Sequence, residues 1–371
     1  MQSKNIAYIE KLDHLRFFAA FMVIEFHTEI WMRGSGAPGE ILPIPLFHQG
    51  YLGVGLFMVI SGLILAAISH DKDIDIPRFY LNRVLRIYPL FVFMVALGYF
   101  STPDPRPTSV GIDFLSALLP ISNLYRLQYG PYAAVMFSIA LELQFYLLFP
   151  FLLKFSRRYG TRYYFALVAF LIVIRAAVYL LTGTAHHLGY FSIFGALDTF
   201  LAGVVAGGLY VGMGKREFSG WLVGLAFVAL NAFVYLVHAQ PSFFHFDFNG
   251  VTTDQVSRNP LWIVWPTIQG AMFAGFALLY LRSSLRLPFS NAFAWLGKVS
   301  FSLYAWHTIV CMLAVKLRIH FLPPYELGLL VILPVTVVLS WMSYNLIERP
   351  FLDLRVKYTR PLVREPELQR A

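Results

Sequence analysis

The sequence predicts an all-α, polytopic integral membrane protein, a bundle of about ten transmembrane helices, and three observations lead to this fold class. Hydrophobic residues make up 58% of the 371 residues and charged residues only 13%, whereas soluble domains average about 25% charged residues. The mean hydropathy is +0.63. Apolar runs long enough to cross a bilayer recur along the whole chain with short polar gaps between them. Because no aqueous fold could bury this much apolar surface, a soluble protein is excluded.

Each predicted span is a run of roughly 20 mostly apolar residues. The ten runs are 13–32, 50–69, 87–100, 132–153, 163–181, 191–211, 219–238, 261–281, 295–315 and 326–346. The third run is short, and we expect its helix to begin earlier, between Arg78 and Pro89. Together the runs predict one transmembrane domain over residues 1–350, followed by a short cytoplasmic tail at 351–371.

The distribution of basic residues predicts the orientation, because Lys and Arg concentrate in cytoplasmic loops. Twenty of the 29 Lys and Arg residues fall in segments on the side of the N-terminus and six on the opposite side. An even number of spans therefore places both termini in the cytoplasm. This bias accounts for the net charge of +9, so nucleic-acid binding is not expected. The single cysteine, Cys311, excludes a disulfide within the chain and a cysteine-based metal site, and we predict no metal.

The first predicted helix carries ionisable residues at membrane depth, where they are costly and mark functional sites. Arg16 and His27 are eleven residues apart, which puts them within about 20° of the same helix face and about 16 Å apart along the axis. Glu25 and Glu29 are each rotated from His27 by about 200° and cannot pair with it on this helix. A carboxylate partner for His27 must come from another helix. The alternative is a core histidine bonded to a neighbouring backbone group.

Two further elements carry candidate functional residues. Arg83 and Arg86, three apart at the cytoplasmic end of the third span, would present two guanidinium groups to a phosphorylated ligand, or would serve only as interfacial anchors. Glu142 lies inside the fourth span and could orient His27, as carboxylates do for catalytic histidines. Its alternative role is a structural salt bridge to an arginine.

Six sequence blocks, in order along the chain, carry a resemblance to a known family. They are LDHLRFFAAFMVIEFH, GVGLFMVISGLIL, RFYLNRVLRIYPL, SIALELQFYLLFP, FSLYAWHTIV and SYNLIERPF. On these blocks, which run from Leu12 to Phe351, the chain resembles membrane acyltransferase family 3. Members of that family O-acylate exopolysaccharides, lipopolysaccharide O-antigen, Nod factors and macrolides.

The resemblance implies an O-acyltransferase that moves an acyl group from acyl-CoA, with acetyl-CoA expected, to a hydroxyl of a carbohydrate or glycolipid acceptor. The donor is a substrate, and no permanently bound cofactor is implied. Arg83 and Arg86, together with Arg16, would hold the donor's phosphates. His27, oriented by Glu142, would act as a general base or take the acyl group covalently.

Other positions and a rival function complete the expectations. His307 and Tyr304, in the ninth span, are candidates for the substrate site, although both could simply pack. Glu348 and Arg349 are expected to end the last helix, and no second catalytic domain is expected after it. The rival function is a secondary transporter, which should show internal repeats and paired helices broken by Gly or Pro. No repeat is visible in the sequence.

Overall fold

Each of the ten apolar runs coincides with a helix in the computed structural model. The structure describes residues 4–36, 44–101, 110–124, 133–214, 216–239, 243, 257–319 and 321–362. The main helices are α1 (Glu10–Gly34), α2 (Leu52–Ser69), α3 (Ile76–Ser101), α4 (Ala133–Tyr159), α5 (Arg162–Thr182), α6 (Ile193–Gly212), α7 (Gly220–His238), α8 (Trp265–Leu281), α9 (Ser290–Lys298), α10 (Ser300–Lys316) and α11 (Pro324–Asp353). As expected, α3 begins well before the apolar run that predicted it.

Several shorter elements connect the main helices. Short α-helices are formed by Pro45–His48, Val110–Ala117 and His186–Phe191, and 3-10 turns by Ser122–Leu124 and Pro260–Ile263. Two strands, β1 (Lys72–Ile74) and β2 (Thr359–Pro361), pair antiparallel with Lys72 opposite Pro361. This small sheet is the only departure from the all-α prediction in the described part of the chain.

Seven of the described helices are long and apolar enough to cross a membrane by themselves, and an eighth span results if α9 and α10 are counted together. The axes of α9 and α10 differ by 75°. The predicted count of ten also includes α1, which carries several charges, and α8, which has only 17 residues. The polytopic helical membrane fold is therefore confirmed.

The position of α1 explains how a charged helix can lie in this bundle. It packs against α2, α8, α9 and α10 and against the start of α11. Glu25 and Glu29 are both buried, so neighbouring helices, rather than lipid, surround its polar side chains. A span that protein covers on most sides can carry charges that lipid would not accept.

Close packing of α2 on α6 depends on glycines. A Cβ atom on Gly203 would lie 2.1 Å from the carbonyl oxygen of Val59, and one on Gly62 would lie 2.1 Å from that of Phe200. Small residues let helix backbones approach each other in membranes. The contact fixes α2 as a rigid wall beside α1.

The last helix continues beyond the position predicted for its end. Two π-helical turns, Gly328–Ile332 and Tyr344–Glu348, interrupt α11, and α-helix resumes from Arg349 to Asp353. The expectation that Glu348 and Arg349 end the helix was wrong. The Glu348 carboxylate accepts a hydrogen bond from Ser302 on α10, and this contact holds the second π-helical turn inside the bundle.

Candidate active site

A cavity with basic walls opens where α1, α3 and the residues after α11 meet, and we call it the basic cavity. Its basic side chains are Arg16, Arg83, Arg86, Lys298 and Arg355. Two carboxylates, Asp13 and Glu348, also line it, so the cations exceed the carboxylates by three. The cavity contains about 1020 Å³ of space between its walls, including its open mouth. Such a site attracts a multiply charged anion.

Arg83 and Arg86 both line the basic cavity, but they differ in how firmly other side chains hold their guanidinium groups. Arg83 is 9% exposed, and its guanidinium carbon lies 5.3, 5.1 and 5.7 Å from the ring centres of Phe79, Tyr146 and Tyr358. Its Nη2 donates to the Tyr358 hydroxyl at 3.4 Å. Arg86 is half-buried and has no hydrogen-bond partner among the described residues. Arg86 is therefore the freer of the two to bind a ligand.

A second cavity, the inner cavity, adjoins the first and lies deeper between the helices. Three residues, Arg16, Arg86 and Ser300, line both cavities. The further polar residues of the inner cavity are Ser61, Ser138, Glu142 and Tyr304. It contains about 580 Å³, again including its opening. The two cavities therefore adjoin each other at these three side chains.

Arg16 stands at the junction of the two cavities. Its Nη1 lies 2.6 Å from Asp13 Oδ1, three residues earlier on the same helix. The carboxylate fixes the guanidinium beside the route and offsets part of its charge. Its role at the mouth of a channel toward His27 stays a prediction.

His27 and His307 form a pair at the contact between α1 and α10. Nδ1 of His27 lies 2.9 Å from the carbonyl oxygen of Val23 and 3.2 Å from Nε2 of His307. Nδ1 of His307 lies 2.7 Å from the carbonyl oxygen of Tyr304. Because a carbonyl only accepts hydrogen bonds, each ring must carry its proton on Nδ1. His27 therefore keeps an unprotonated Nε2, the form that a general base needs.

The two histidines differ in access. His307 is completely buried, whereas His27 is half-buried. Their ring centres are 4.9 Å apart. His27 can thus meet a substrate, while His307 holds the ring from behind.

Tyr304 connects the inner cavity to this pair. Its hydroxyl lies 2.7 Å from Ser138 Oγ on α4, and its ring centre lies 5.7 Å from that of His307. Its carbonyl oxygen fixes the His307 ring, as described above. Tyr304 therefore contacts His307, and His307 contacts His27, although neither histidine lines either of the two cavities.

The predicted pairing of Glu142 with His27 is not present in the structure. Glu142 Oε1 accepts hydrogen bonds from Ser61 Oγ, at 3.0 Å, and from the Tyr146 hydroxyl. It makes no hydrogen bond to His27 among the described residues. The physical reason is that α4 presents Glu142 to α2, whereas His27 points toward α10. The carboxylate lines the inner cavity instead, and its catalytic role stays a prediction.

Sequence reasoning did not assign Lys298, Ser300 or Arg355 to the site. Lys298 and Ser300 flank the bend between α9 and α10, and a lysine at the edge of an apolar run was their only signal. Arg355 follows α11 and is remote in sequence from the other basic residues of the basic cavity. Burial and the positive charges of Arg86 and Arg83 lower the pKa of Arg355 to about 10. No sequence pattern could have placed it there.

In the described part of the chain, no group of three or more His, Cys, Asp or Glu residues is arranged to hold a metal ion; that the protein has no metal stays a prediction.

The fold and the site together define a multi-pass membrane protein with a basic cavity, an adjoining inner cavity and, in contact with Tyr304 of the inner cavity, a pair of histidines. The sequence model of the family described as "Acyltransferase domain" matches residues 9–345. The chain therefore belongs to this acyltransferase family, acyltransferase 3, as the sequence blocks indicated.

Named relatives agree with the family. O-acetyltransferase OatA of Staphylococcus aureus is 26% identical over 377 residues, which cover 92% of this chain and 57% of OatA. The protein named "Putative acetyltransferase ORF330" of Acidianus two-tailed virus is 26% identical over 313 residues, covering 82% of this chain and 83% of its own length. The chain thus spans little more than half of OatA but most of the viral protein. No solved structure matches the chain.

Proposed function

We propose that the protein is a membrane O-acyltransferase that uses acyl-CoA, in the first place acetyl-CoA, to acylate a hydroxyl of a carbohydrate or glycan-like acceptor such as an exopolysaccharide or O-antigen. One observation carries this proposal: the basic cavity adjoins the inner cavity, which Tyr304 lines, and Tyr304 contacts His307 of the His27–His307 pair. Membership of an acyltransferase family favours this reaction over a secondary transporter.

The charge of the basic cavity supports a donor with several phosphates. Coenzyme A carries a pyrophosphate and a further ribose phosphate, and the cavity has an excess of three positive charges. Guanidinium groups bind phosphate through paired, charge-assisted hydrogen bonds. With the phosphates at Arg83 and Arg86, the pantetheine arm would pass Arg16 and enter the inner cavity toward Tyr304.

The histidine tautomers support direct transfer to the acceptor. His27 Nε2 would take the proton of the acceptor hydroxyl as that oxygen bonds to the thioester carbonyl carbon. The carbon–sulfur bond then breaks, and the coenzyme A thiolate leaves with the proton returned by His27. His307 would hold the His27 ring during both proton transfers. A covalent acyl-histidine at His27 is the alternative path, and both paths need the same free nitrogen.

The location of the acyl donor would determine the orientation of the protein in the membrane. Acyl-CoA is made in the cytoplasm, so the basic cavity would face the cytoplasm, and the N-terminal segment and the residues after α11, which line it, would lie on the same side. This agrees with the concentration of Lys and Arg in those segments. The acceptor would reach His27 from the opposite face of a bacterial inner membrane.

The decisive experiment replaces His27. His27→Ala should reduce transfer of acetyl groups from acetyl-CoA by about 10²- to 10⁴-fold, the usual contribution of a general base. His187→Ala is the matched control, because His187 is exposed and does not line either cavity. Both variants are compared in membranes that contain equal amounts of inserted protein, with thiol release as the assay.

Two results would count against the proposal. Transfer that persists in His27→Ala would remove the assigned base. Uptake of a solute into vesicles without any consumption of thioester would favour the transporter. Mass spectrometry of surface glycans and secreted metabolites, with and without the gene, would identify the acceptor.

A further inference from the structure

The segment that follows α11 folds back against the mouth of the basic cavity. We call residues 354–361 the C-terminal strap. It lies beyond the region matched by the family model, which ends at residue 345. The strap is therefore a part of this chain for which membership of the family predicts no role.

Specific hydrogen bonds fix the register of the strap. Asn82 on α3 donates from Nδ2 to the carbonyl oxygen of Val356 at 2.6 Å, and its Oδ1 accepts from the Val356 amide at 2.9 Å. Asn5, near the N-terminus, accepts from the Tyr358 amide at 3.0 Å. Beyond Tyr358, β2 pairs with β1. With both ends held, the position of Arg355 relative to α3 is determined.

The fixed register places Arg355 in the wall of the basic cavity. Its Nε donates to the carbonyl oxygen of Leu352 at 3.1 Å. It makes no ion pair with any carboxylate in the described part of the chain. Arg360, five residues later, does pair with a carboxylate, that of Asp75. Arg355 is thus a half-buried cation without an ion-pair partner among the described residues.

The surroundings of Arg355 make this charge unfavourable without a ligand. The guanidinium groups of Arg86 and Arg83 repel it, and together with burial they lower its pKa to about 10. At neutral pH it still carries its charge. An anion bound between these arginines would remove the repulsion, which is the electrostatic pattern of an anion site.

The strap also acts on Arg83. The buried Tyr358 ring lies 5.7 Å from the Arg83 guanidinium, and its hydroxyl accepts a hydrogen bond from Arg83. The same short segment therefore supplies one cation to the cavity and packs against a second.

From these contacts we propose that Arg355 is a phosphate ligand for the acyl donor and that the C-terminal strap is an integral wall of the donor site. The inference rests on the proposed function, because it assigns the anion to the phosphates of coenzyme A. It adds a binding residue that lies outside the family's matched region.

The test measures binding of coenzyme A itself to the purified full-length protein, by calorimetry, so that no acyl transfer is needed. Arg355→Gln should raise the Kd for coenzyme A by about tenfold, as expected for one lost charge-assisted contact. Lys357→Gln is the matched control, since Lys357 is exposed in the same strap and lies outside the cavity; its Kd should stay within about twofold of the wild type. The dependence of Kd on salt should also become shallower only in Arg355→Gln.

The outcomes separate this inference from the proposed function. If the wild type does not bind coenzyme A, the proposed donor fails and the inference fails with it. If the wild type binds but Arg355→Gln matches Lys357→Gln, only the inference is overturned. Should Arg355→Gln not fold, Arg355→Met replaces it. The methionine keeps an unbranched side chain but removes the charge, and an unchanged Kd in that variant would also overturn the inference.

Discussion

Replacing His307 with phenylalanine tests whether His307 supports His27 or is itself the base. The phenylalanine ring keeps most of the volume of this completely buried side chain but removes both nitrogens. His27 then loses its 3.2 Å contact with Nε2 of His307 and keeps the 2.9 Å bond to the Val23 carbonyl. The free Nε2 of His27 is untouched.

The expected loss follows from that single contact. One hydrogen bond contributes about 0.5–1.5 kcal/mol net, and each 1.4 kcal/mol corresponds to about a tenfold change. His307→Phe should therefore lower kcat by between about twofold and tenfold. This is far less than the loss of about 10²- to 10⁴-fold expected for His27→Ala. The KM for acetyl-CoA should not change, because the basic cavity is remote from the pair.

The assay follows thiol release from acetyl-CoA in membranes with equal amounts of inserted protein, at several donor concentrations. The double variant His27→Ala/His307→Phe should be no slower than His27→Ala, because residues that act as one unit are not additive. A loss in His307→Phe as large as that in His27→Ala would refute the reasoning. His307 would then take a direct part in proton transfer.

Two further predictions concern the scaffold and the route. Arg175 and Asp198 form a fully buried salt bridge, with 2.7 Å between Nη2 and Oδ2. Arg175→Met should lower the free energy of unfolding by about 3–5 kcal/mol and lower the thermal unfolding midpoint in detergent. Adding Asp198→Leu, which removes the unpaired carboxylate, should restore part of this lost stability. Ser300→Phe should block the passage shared by the two cavities, reducing acetyl transfer at least about tenfold while adenosine 3′,5′-bisphosphate still binds the basic cavity. If Ser300→Phe lost acetyl transfer and nucleotide binding to the same extent, Ser300 would not lie at the boundary between the two cavities. If acetyl transfer were unchanged, the donor would reach the histidines by another route.

The sequence was sufficient to predict which segments form helices, because every apolar run of membrane length had to become one. It was less informative about where the helices end and bend. The start of α3 at Ile76 lies in an amphipathic stretch, before the apolar run begins, where Asp75 caps the helix by accepting a hydrogen bond from the Arg78 amide at 3.2 Å. The bend between Lys298 and Ser300 contains no proline, and the π-helical turns of α11 depend on contacts with other helices, such as that of Glu348 with Ser302.

Prediction of the site from the sequence was limited in the same way, because contacts between side chains of different helices could not be predicted. Helical periodicity within one segment placed Arg16 and His27 on one face, since this needs only the geometry of a helix. The partner of His27 lies 280 residues away on α10, and no local pattern distinguishes His307 from Glu142 as that partner. Glu142 was predicted as the partner by analogy with catalytic histidines, but its Oε1 accepts hydrogen bonds from two hydroxyl groups instead. The position of Arg355 was even harder to predict from the sequence, because it depends on the register of the C-terminal strap.

One face of α1 and one face of α10 nonetheless carry the residues that connect the cavities with the histidine pair. On α10, Ser300 and His307 are seven residues apart, which puts them within about 20° of one face and about 10 Å apart, with Tyr304 between them. On α1, Arg16 and His27 have the same angular relation over about 16 Å. Arg16 and Ser300 line both cavities, and His27 and His307 meet at the other end. The helices therefore run in the same direction along the route, and the bend before Ser300 is what turns α10 to follow α1 inward. A straight helix through residues 290–316 could not present Lys298 to the basic cavity and His307 to His27 with these same neighbours.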